Sequence, residues 1–327
     1  MNRALLLHLV AILVIAFLPQ MGGYPIFLMK IMCYALFACA FNLLLGYVGL
    51  LSFGHAAFVS VAAYACGQSL AVWGWPTWAG LLFGTVGAGA LGLVFGVLSV
   101  RRSGIYFAMI TLALAQMLYF YFLQASFTGG EDGLHGIPRG SFLGLDLRQD
   151  IELYYLVLAI FVMGYAIIWR TVHSPFGQAL KAIRENEPRM ISLGYNTDRF
   201  KLLAFVISAS LSGLAGATKS LVFVSASLSD ATWHMSGMVI LMTLIGGMGT
   251  LTGPVLGAVI MVALENKVGV IGRFLMEVTG IEWFRVLGES VTIVIGLIFV
   301  VCVMAFRRGI VGEWLHFRER RRLQERT

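Results

Sequence analysis

Ten mainly apolar stretches run through this chain, at about 4–18, 26–45, 51–72, 78–100, 105–124, 151–170, 202–225, 234–248, 253–270 and 286–306. A bilayer core about 30 Å thick takes about 20 such residues per helix. Backbone inside lipid must satisfy its own hydrogen bonds, so runs of this kind predict helices. Composition agrees: of 327 residues, 59% are hydrophobic and only 12% charged. Soluble domains carry about 25% charged residues, and half that density cannot cover a water-facing surface of this size. A soluble enzyme, a nucleic-acid binder and a disordered hub are therefore excluded. The expected fold is an all-α polytopic membrane protein of about ten transmembrane helices, with residues 1–306 as the membrane domain and 307–327 as a basic tail.

Charge placement orients the map. With a cytoplasmic N-terminus, ten crossings return the C-terminus to the cytoplasm. The inner segments then hold Arg3, Arg101, Arg102, Arg170, Lys181, Arg184, Arg189, Arg199, Lys201 and seven arginines from Arg307 to Arg326, sixteen in all. The outer segments hold six: Lys30, Arg139, Arg148, Lys267, Arg273 and Arg285. Cytoplasmic loops carry the excess of Lys and Arg, so both termini are expected inside. The outer loop 125–152 is net acidic. The stretch Ala4–Leu18 after Arg3 has the look of a signal peptide, but Pro19-Gln20-Met21-Gly22-Gly23 offers no small-residue cleavage site, so an uncleaved first helix is expected.

Within the spans, Gly84, Ala88, Gly92 and Gly96 form one small-residue stripe, and Ala204, Ser208, Ser212, Gly216 and Ser220 another. Such stripes allow close helix approach, here within the chain or toward a partner membrane subunit. Cys33, Cys39, Cys66 and Cys302 stand in apolar runs without metal-ligand spacing and read as small core residues. Gly213-Leu-Ala-Gly-Ala-Thr-Lys219-Ser220 imitates a phosphate loop, but Thr218 replaces the required glycine and the segment lies inside a span. Lys219 is expected to snorkel to the outer interface. No cofactor or metal site is expected.

Three regions depart from a plain bundle. Gly46-Tyr-Val-Gly49-Leu-Leu-Ser52-Phe-Gly54-His55 and Gly246-Gly-Met-Gly249-Thr-Leu-Thr252-Gly253-Pro254 each separate two apolar runs. Glycine-rich backbone at that depth needs protein or a water-filled cavity around it, which predicts discontinuous helices beside a pathway. Polar residues within spans (Asn42, His55, Thr111, Gln116 and Gln124) face a bundle interior, as helix-to-helix hydrogen bonds or as path lining. Asn42, His55, Thr111 and Gln116, with Ser52 and Thr252, are the candidate translocation path. The loop 173–201 is helix-forming but not membrane-like. Ser174-Pro175 offers an N-cap with proline at the first helical position. A stop is expected before Pro188, a second stop at Gly194, and caps from Asn196-Thr197-Asp198. Two short amphipathic helices follow, carrying Lys181, Arg184, Glu185, Asn186, Glu187 and Arg189, as a solvated face or a docking element for a soluble partner.

Both glycine segments, together with Gly104-Ile-Tyr-Phe-Ala-Met-Ile-Thr-Leu-Ala, Thr128-Gly-Gly-Glu-Asp-Gly133 and Ser174-Pro-Phe-Gly-Gln-Ala-Leu-Lys-Ala-Ile-Arg-Glu-Asn-Glu, resemble the LivM-type permeases of bacterial branched-chain amino acid ABC importers. The resemblance covers about residues 40–270. It implies a type II importer-like permease in the bacterial inner membrane, surrounded by lipid and taking a small amino-acid substrate. Its implied partners are a LivH-like second permease, two ABC ATPase subunits that hydrolyse the ATP, and a periplasmic substrate-binding protein. It also implies that the helices of 173–201 couple to the ATPases, through Lys181, Arg184, Glu185, Asn186, Glu187, Arg189 and Gly194. Glu185-Asn186-Glu187 departs from the strict Glu-Ala-Ala-x-x-x-Gly pattern, because Gly194 comes at a longer spacing, and which residue inserts deepest is left open. Similar permeases import urea or short amides. An ion-driven carrier is the alternative from another class, though it would be expected to place carboxylates nearer mid-membrane than Glu265 and Glu289.

Overall fold

The computed structural model describes residues 13–142 and 144–279, with isolated positions between 293 and 317. Most of the expected first span, the last span at 286–306, Cys302 and the tail lie outside the described residues.

Helices carry the fold. They are α1 (Pro25–Asn42), α2 (Ala56–Ala71), α3 (Thr77–Ser99), α4 (Ile105–Gln124), α5 (Asp150–His173), α6 (Pro175–Glu185), α7 (Glu187–Ser192), α8 (Thr197–Phe223), α9 (Trp233–Gly246) and α10 (Gly253–Thr279). Among the described residues, five segments are long and apolar enough to cross a membrane: Pro25–Val48, α3, α4, α5 and α8. The chain is an all-α polytopic membrane protein. Sheet is confined, among the described residues, to four two-residue strands: β1 (Leu134–His135), β2 (Ser141–Phe142), β3 (Leu145–Asp146) and β4 (Ser225–Ala226).

Apart from Lys30 near its start and Asn42 at its end, α1 is apolar on every side, and a helix of that kind belongs in the middle of a bundle. Its residues from Met32 to Asn42 are all buried. α8 is the second axis. Its 27 residues span about 40 Å at 1.5 Å per residue, more than a bilayer core of about 30 Å. α1, α2 and α3 pack on it. Both small-residue stripes are used within the chain, though not against each other. The first meets another face of α8, where a Cβ added to Gly213 would strike Ala88 and one on Gly92 would strike Ala209, while in the second a Cβ on Gly216 would overlap the Val59 backbone of α2. α5 and α10 flank α1, and α9 packs on α10. α4 is the least covered of the long helices, with Tyr106, Met109, Met117 and Tyr121 exposed on one side.

At the end of the bundle holding residues 125–149, Arg139 acts as a clasp. Its guanidinium donates to the carbonyls of Leu221 (3.2 Å) and Val222 (2.9 Å) and to Asp150 Oδ1 (2.7 Å). The last carbonyls of a helix lack intrahelical donors, so an arginine there satisfies them and opposes the helix dipole. Lys219 does not snorkel, contrary to expectation. It pairs with Asp230, and both side chains are largely buried. Its ammonium also lies 5.3 Å from the Tyr34 ring centroid. The acid at 230 sits eleven residues along the chain, close enough to hold the lysine inside the bundle. The imitation phosphate loop is continuous helix within α8.

Candidate functional site

The site forms where two helices break. α1 runs into a π-helical turn, Leu43–Val48, that stops at Gly49 in the left-handed region (φ +83°). Leu50 N–H donates to Leu44 O (3.2 Å), after which the chain is irregular until α2 begins at Ala56. The backbone donors this exposes are met by side chains. Phe53 N–H donates to Thr111 Oγ1 of α4 (3.2 Å), Gly54 N–H to Ser52 Oγ (3.3 Å), and Ala56 N–H to Ser236 Oγ of α9 (3.0 Å). Breaking a helix at this depth is thus made tolerable by three hydroxyls. α2 has 16 residues and α9 has 14, about 24 and 21 Å of helix, each shorter than a bilayer core of about 30 Å.

The second break, residues 247–252, lies against the first although some 200 positions separate them in sequence. Asn42 joins the two: its Nδ2 donates to Thr250 O (2.8 Å) and its Oδ1 accepts from Gly249 N–H (2.9 Å). One donor and one acceptor on opposite partners fix which way the amide points. Glycine is required for this approach, because a Cβ on Gly46 would stand 2.5 Å from Gly249 N. Thr250 Oγ1 accepts from Gly253 N–H (3.1 Å) and so starts α10. Beside the first break a cavity of about 440 Å³ lies between Gly49, Leu51, Phe53 and the first two turns of α4.

The loop 173–201 folds as its caps predict. Ser174 Oγ accepts from Gly177 N–H with Pro175 at the first helical position, Asn186 caps α7, Asn196 caps α8, and Gly194 has φ +86°. α6 buries Gly177, Leu180 and Ile183, and Phe176 stacks on Phe200 at 5.5 Å to tie it to α8. Its cations turn toward the first break. Lys181 Nζ lies 5.6 Å from the Tyr47 ring centroid, and the Arg184 guanidinium donates to Gly46 O. Glu187 pairs with Lys201, which is buried. Glu185, Asn186 and Arg189 are exposed.

The six candidate path residues divide. Asn42, Ser52 and Thr111 are buried: Asn42 joins the two breaks, while Ser52 and Thr111 satisfy donors of the first. His55 is fully buried: Nε2 is 2.8 Å from Ser208 Oγ, and Phe37, Phe41, Phe58 and Phe205 surround the ring at 5.1–6.5 Å. Gln116 is partly exposed on α4, and Thr252, at the end of the second break, is exposed. Sequence reading missed Tyr47, Ser236 and Lys201 as partners. It also missed Ile191, Leu193 and Tyr195, which are 56%, 65% and 45% exposed around the end of α7. Apolar residues within a charged, non-membrane loop were the available signal for these three.

Apolar spanning helices, two interrupted and joined, with a capped helix pair packed on their break, define a membrane permease domain. The chain belongs to the family described as branched-chain amino acid transport system / permease component, whose model matches residues 24–303. It is 28% identical to the high-affinity branched-chain amino acid transport permease LivM of Salmonella typhimurium, over 84% of this chain and 71% of the relative. Identity to LivH of the same organism is 24%, over 71% and 80%, and to the probable LivM of Methanocaldococcus jannaschii 25%, over 57% and 55%. No solved structure matches the chain. It is thus a non-enzymatic membrane subunit that works with other components of an ABC transport system.

Proposed function

We propose that this chain lines one side of the translocation path of an ATP-driven importer for leucine, isoleucine and valine in a bacterial inner membrane. A LivH-like permease supplies the other side, two ABC ATPases sit against α6 and α7, and a periplasmic binding protein docks at the end holding residues 125–149. Both termini are then cytoplasmic. The observation that carries this reading is the contact between α6 and the joined breaks, because a motor outside the membrane needs a route to the part of the path that opens. The named relatives support the cargo.

The residues take distinct parts in it. Asn42, Ser52 and Thr111 shape the path by holding the breaks, and His55 packs the core behind them. Gln116 and Thr252 are accessible and available to cargo. The cavity beside Gly49 is lined by Leu51, Phe53, Ile105, Ala108, Met109 and Leu112, a surface suited to an aliphatic side chain. Glu185, Asn186 and Arg189, with the exposed residues before and after Gly194, face the ATPases.

The test is uptake of labelled leucine into proteoliposomes holding both permeases and both ATPases, with the binding protein outside. Uptake is expected only with ATP on the ATPase side and is indifferent to an ionophore. Uptake that persists without ATP and collapses with the ionophore would place the chain among ion-driven carriers instead.

A further inference from the structure

We propose that Arg184 is the positioning residue through which the α6–α7 pair sets the state of both helix breaks, a proposal that rests on the importer reading above. The argument begins with Gly46. It lies in the π-helical turn at the end of α1, where carbonyls lose their intrahelical donors and the helix dipole leaves negative charge. Leu50 N–H is spent on Leu44 O, and the Arg184 guanidinium takes Gly46 O. The arginine stem lies across Gly49, where an added Cβ would stand 3.1 Å from Arg184 Cγ. The guanidinium nitrogen that reaches Gly46 also lies 3.4 Å from where a Cβ on Gly249 would be. One side chain therefore bonds the first break and lies beside the second, at the place where Asn42 fastens them.

The contact is built to be both tight and reversible. A charged donor on a carbonyl makes a stronger bond than two neutral partners do. Arg184 nevertheless remains exposed on its other side, so water can take over its donors when the contact opens. One residue further on, Glu185 and Asn186 are exposed as well. A partner that moves this end of α6 pulls directly on Gly46 and shifts the arginine stem that lies over Gly49 and beside Gly249.

The experiment uses the assembled transporter in proteoliposomes and measures ATP hydrolysed per leucine taken up, with the ATPase copurifying with each permease variant as control. Arg184→Ala is expected to raise that ratio at least ten-fold while the ATPase still copurifies at the wild-type level. Arg184→Lys keeps a charged donor but loses the planar fork, and is expected to fall between Arg184→Ala and the wild type. A wild-type ratio in Arg184→Ala overturns the proposal. So does a parallel loss of uptake and hydrolysis in both variants with ATPase bound, which is what a merely structural contact would give. If Arg184→Ala does not assemble, the ratio is read on Arg184→Lys alone: a raised ratio supports the proposal and a wild-type ratio overturns it. Failure of ATP-dependent uptake by the wild type would instead remove the importer reading.

Discussion

Asn42 is the last residue of a helix that is apolar apart from Lys30 and Asn42 itself, and its amide answers two backbone groups of a segment more than 200 residues away. Leaving a buried donor or acceptor unpaired costs about 1–3 kcal/mol, and Asn42→Ala leaves both Gly249 N–H and Thr250 O. That variant is expected to lower the melting temperature of the detergent-purified permease and to slow leucine uptake. Asn42→Asp, which keeps the acceptor for Gly249 N–H and loses the donor to Thr250 O, is expected to fall between; wild-type melting in both would show that the bridge carries no weight. Gly46→Ala tests the same spot by volume. Its methyl group would stand 2.5 Å from Gly249 N, so the breaks must separate, and uptake should fall more than ten-fold with membrane insertion preserved. Asn42 and the glycines were legible in the sequence as polar or small residues inside apolar runs. Their pairing was not, because nothing in a linear pattern says which break meets which. His55 shows the opposite difficulty. A histidine in a span reads as path lining, yet four aromatic rings and Ser208 hold it in the core.

The helix pair α6–α7 was the most legible element, since its starts and stops are written as caps: Ser174-Pro175, Asn186, Gly194 and Asn196. Caps act locally, through hydrogen bonds within three or four residues. The sides those helices present depend on the rest of the fold and were less legible. Lys181 and Arg184 look inward to the first break, and Glu187 is taken by Lys201, which leaves Glu185, Asn186 and Arg189 beside the apolar Ile191, Leu193 and Tyr195. Exposed apolar residues outside the spans fit a protein partner better than water. Leu193→Asp is therefore expected to reduce copurification of the ATPase at least five-fold while leaving the permease folded, as judged by an unchanged melting temperature. Copurification at the wild-type level would move the docking surface elsewhere. The same reasoning explains the two short helices. Hydropathy drew spans at 51–72 and 234–248, but α2 starts only at Ala56 and α9 ends at Gly246, because glycine turns with hydroxyl-capped donors occupy the remaining residues.

For the whole molecule, the unequal distribution of charge is the feature from which the proposed orientation follows. Sixteen of the Lys and Arg residues fall on one side of the drawn spans and six on the other, and the positive-inside rule supports the proposal that the richer side is cytoplasmic. The fold agrees with the drawn map in one respect that hydropathy could not supply: α6 and α7 lie at one end of the bundle on the first break, while residues 125–149 close over the other end through Arg139 and the β1–β4 pair. The two ends can therefore be labelled separately. Cys33, Cys39 and Cys66 are buried, so replacing Cys302 by alanine leaves a background that reacts little with a membrane-impermeant maleimide. In that background Asp132→Cys is expected to react in spheroplasts from which the outer membrane has been removed, and Arg189→Cys only after the inner membrane is permeabilised. Both positions are exposed, so silence at one cannot be put down to burial in this chain. Reaction of Arg189→Cys in intact spheroplasts would invert the map, and α6–α7, with Arg184 and its grip on Gly46, would then face the binding protein and could not be where an ATPase acts.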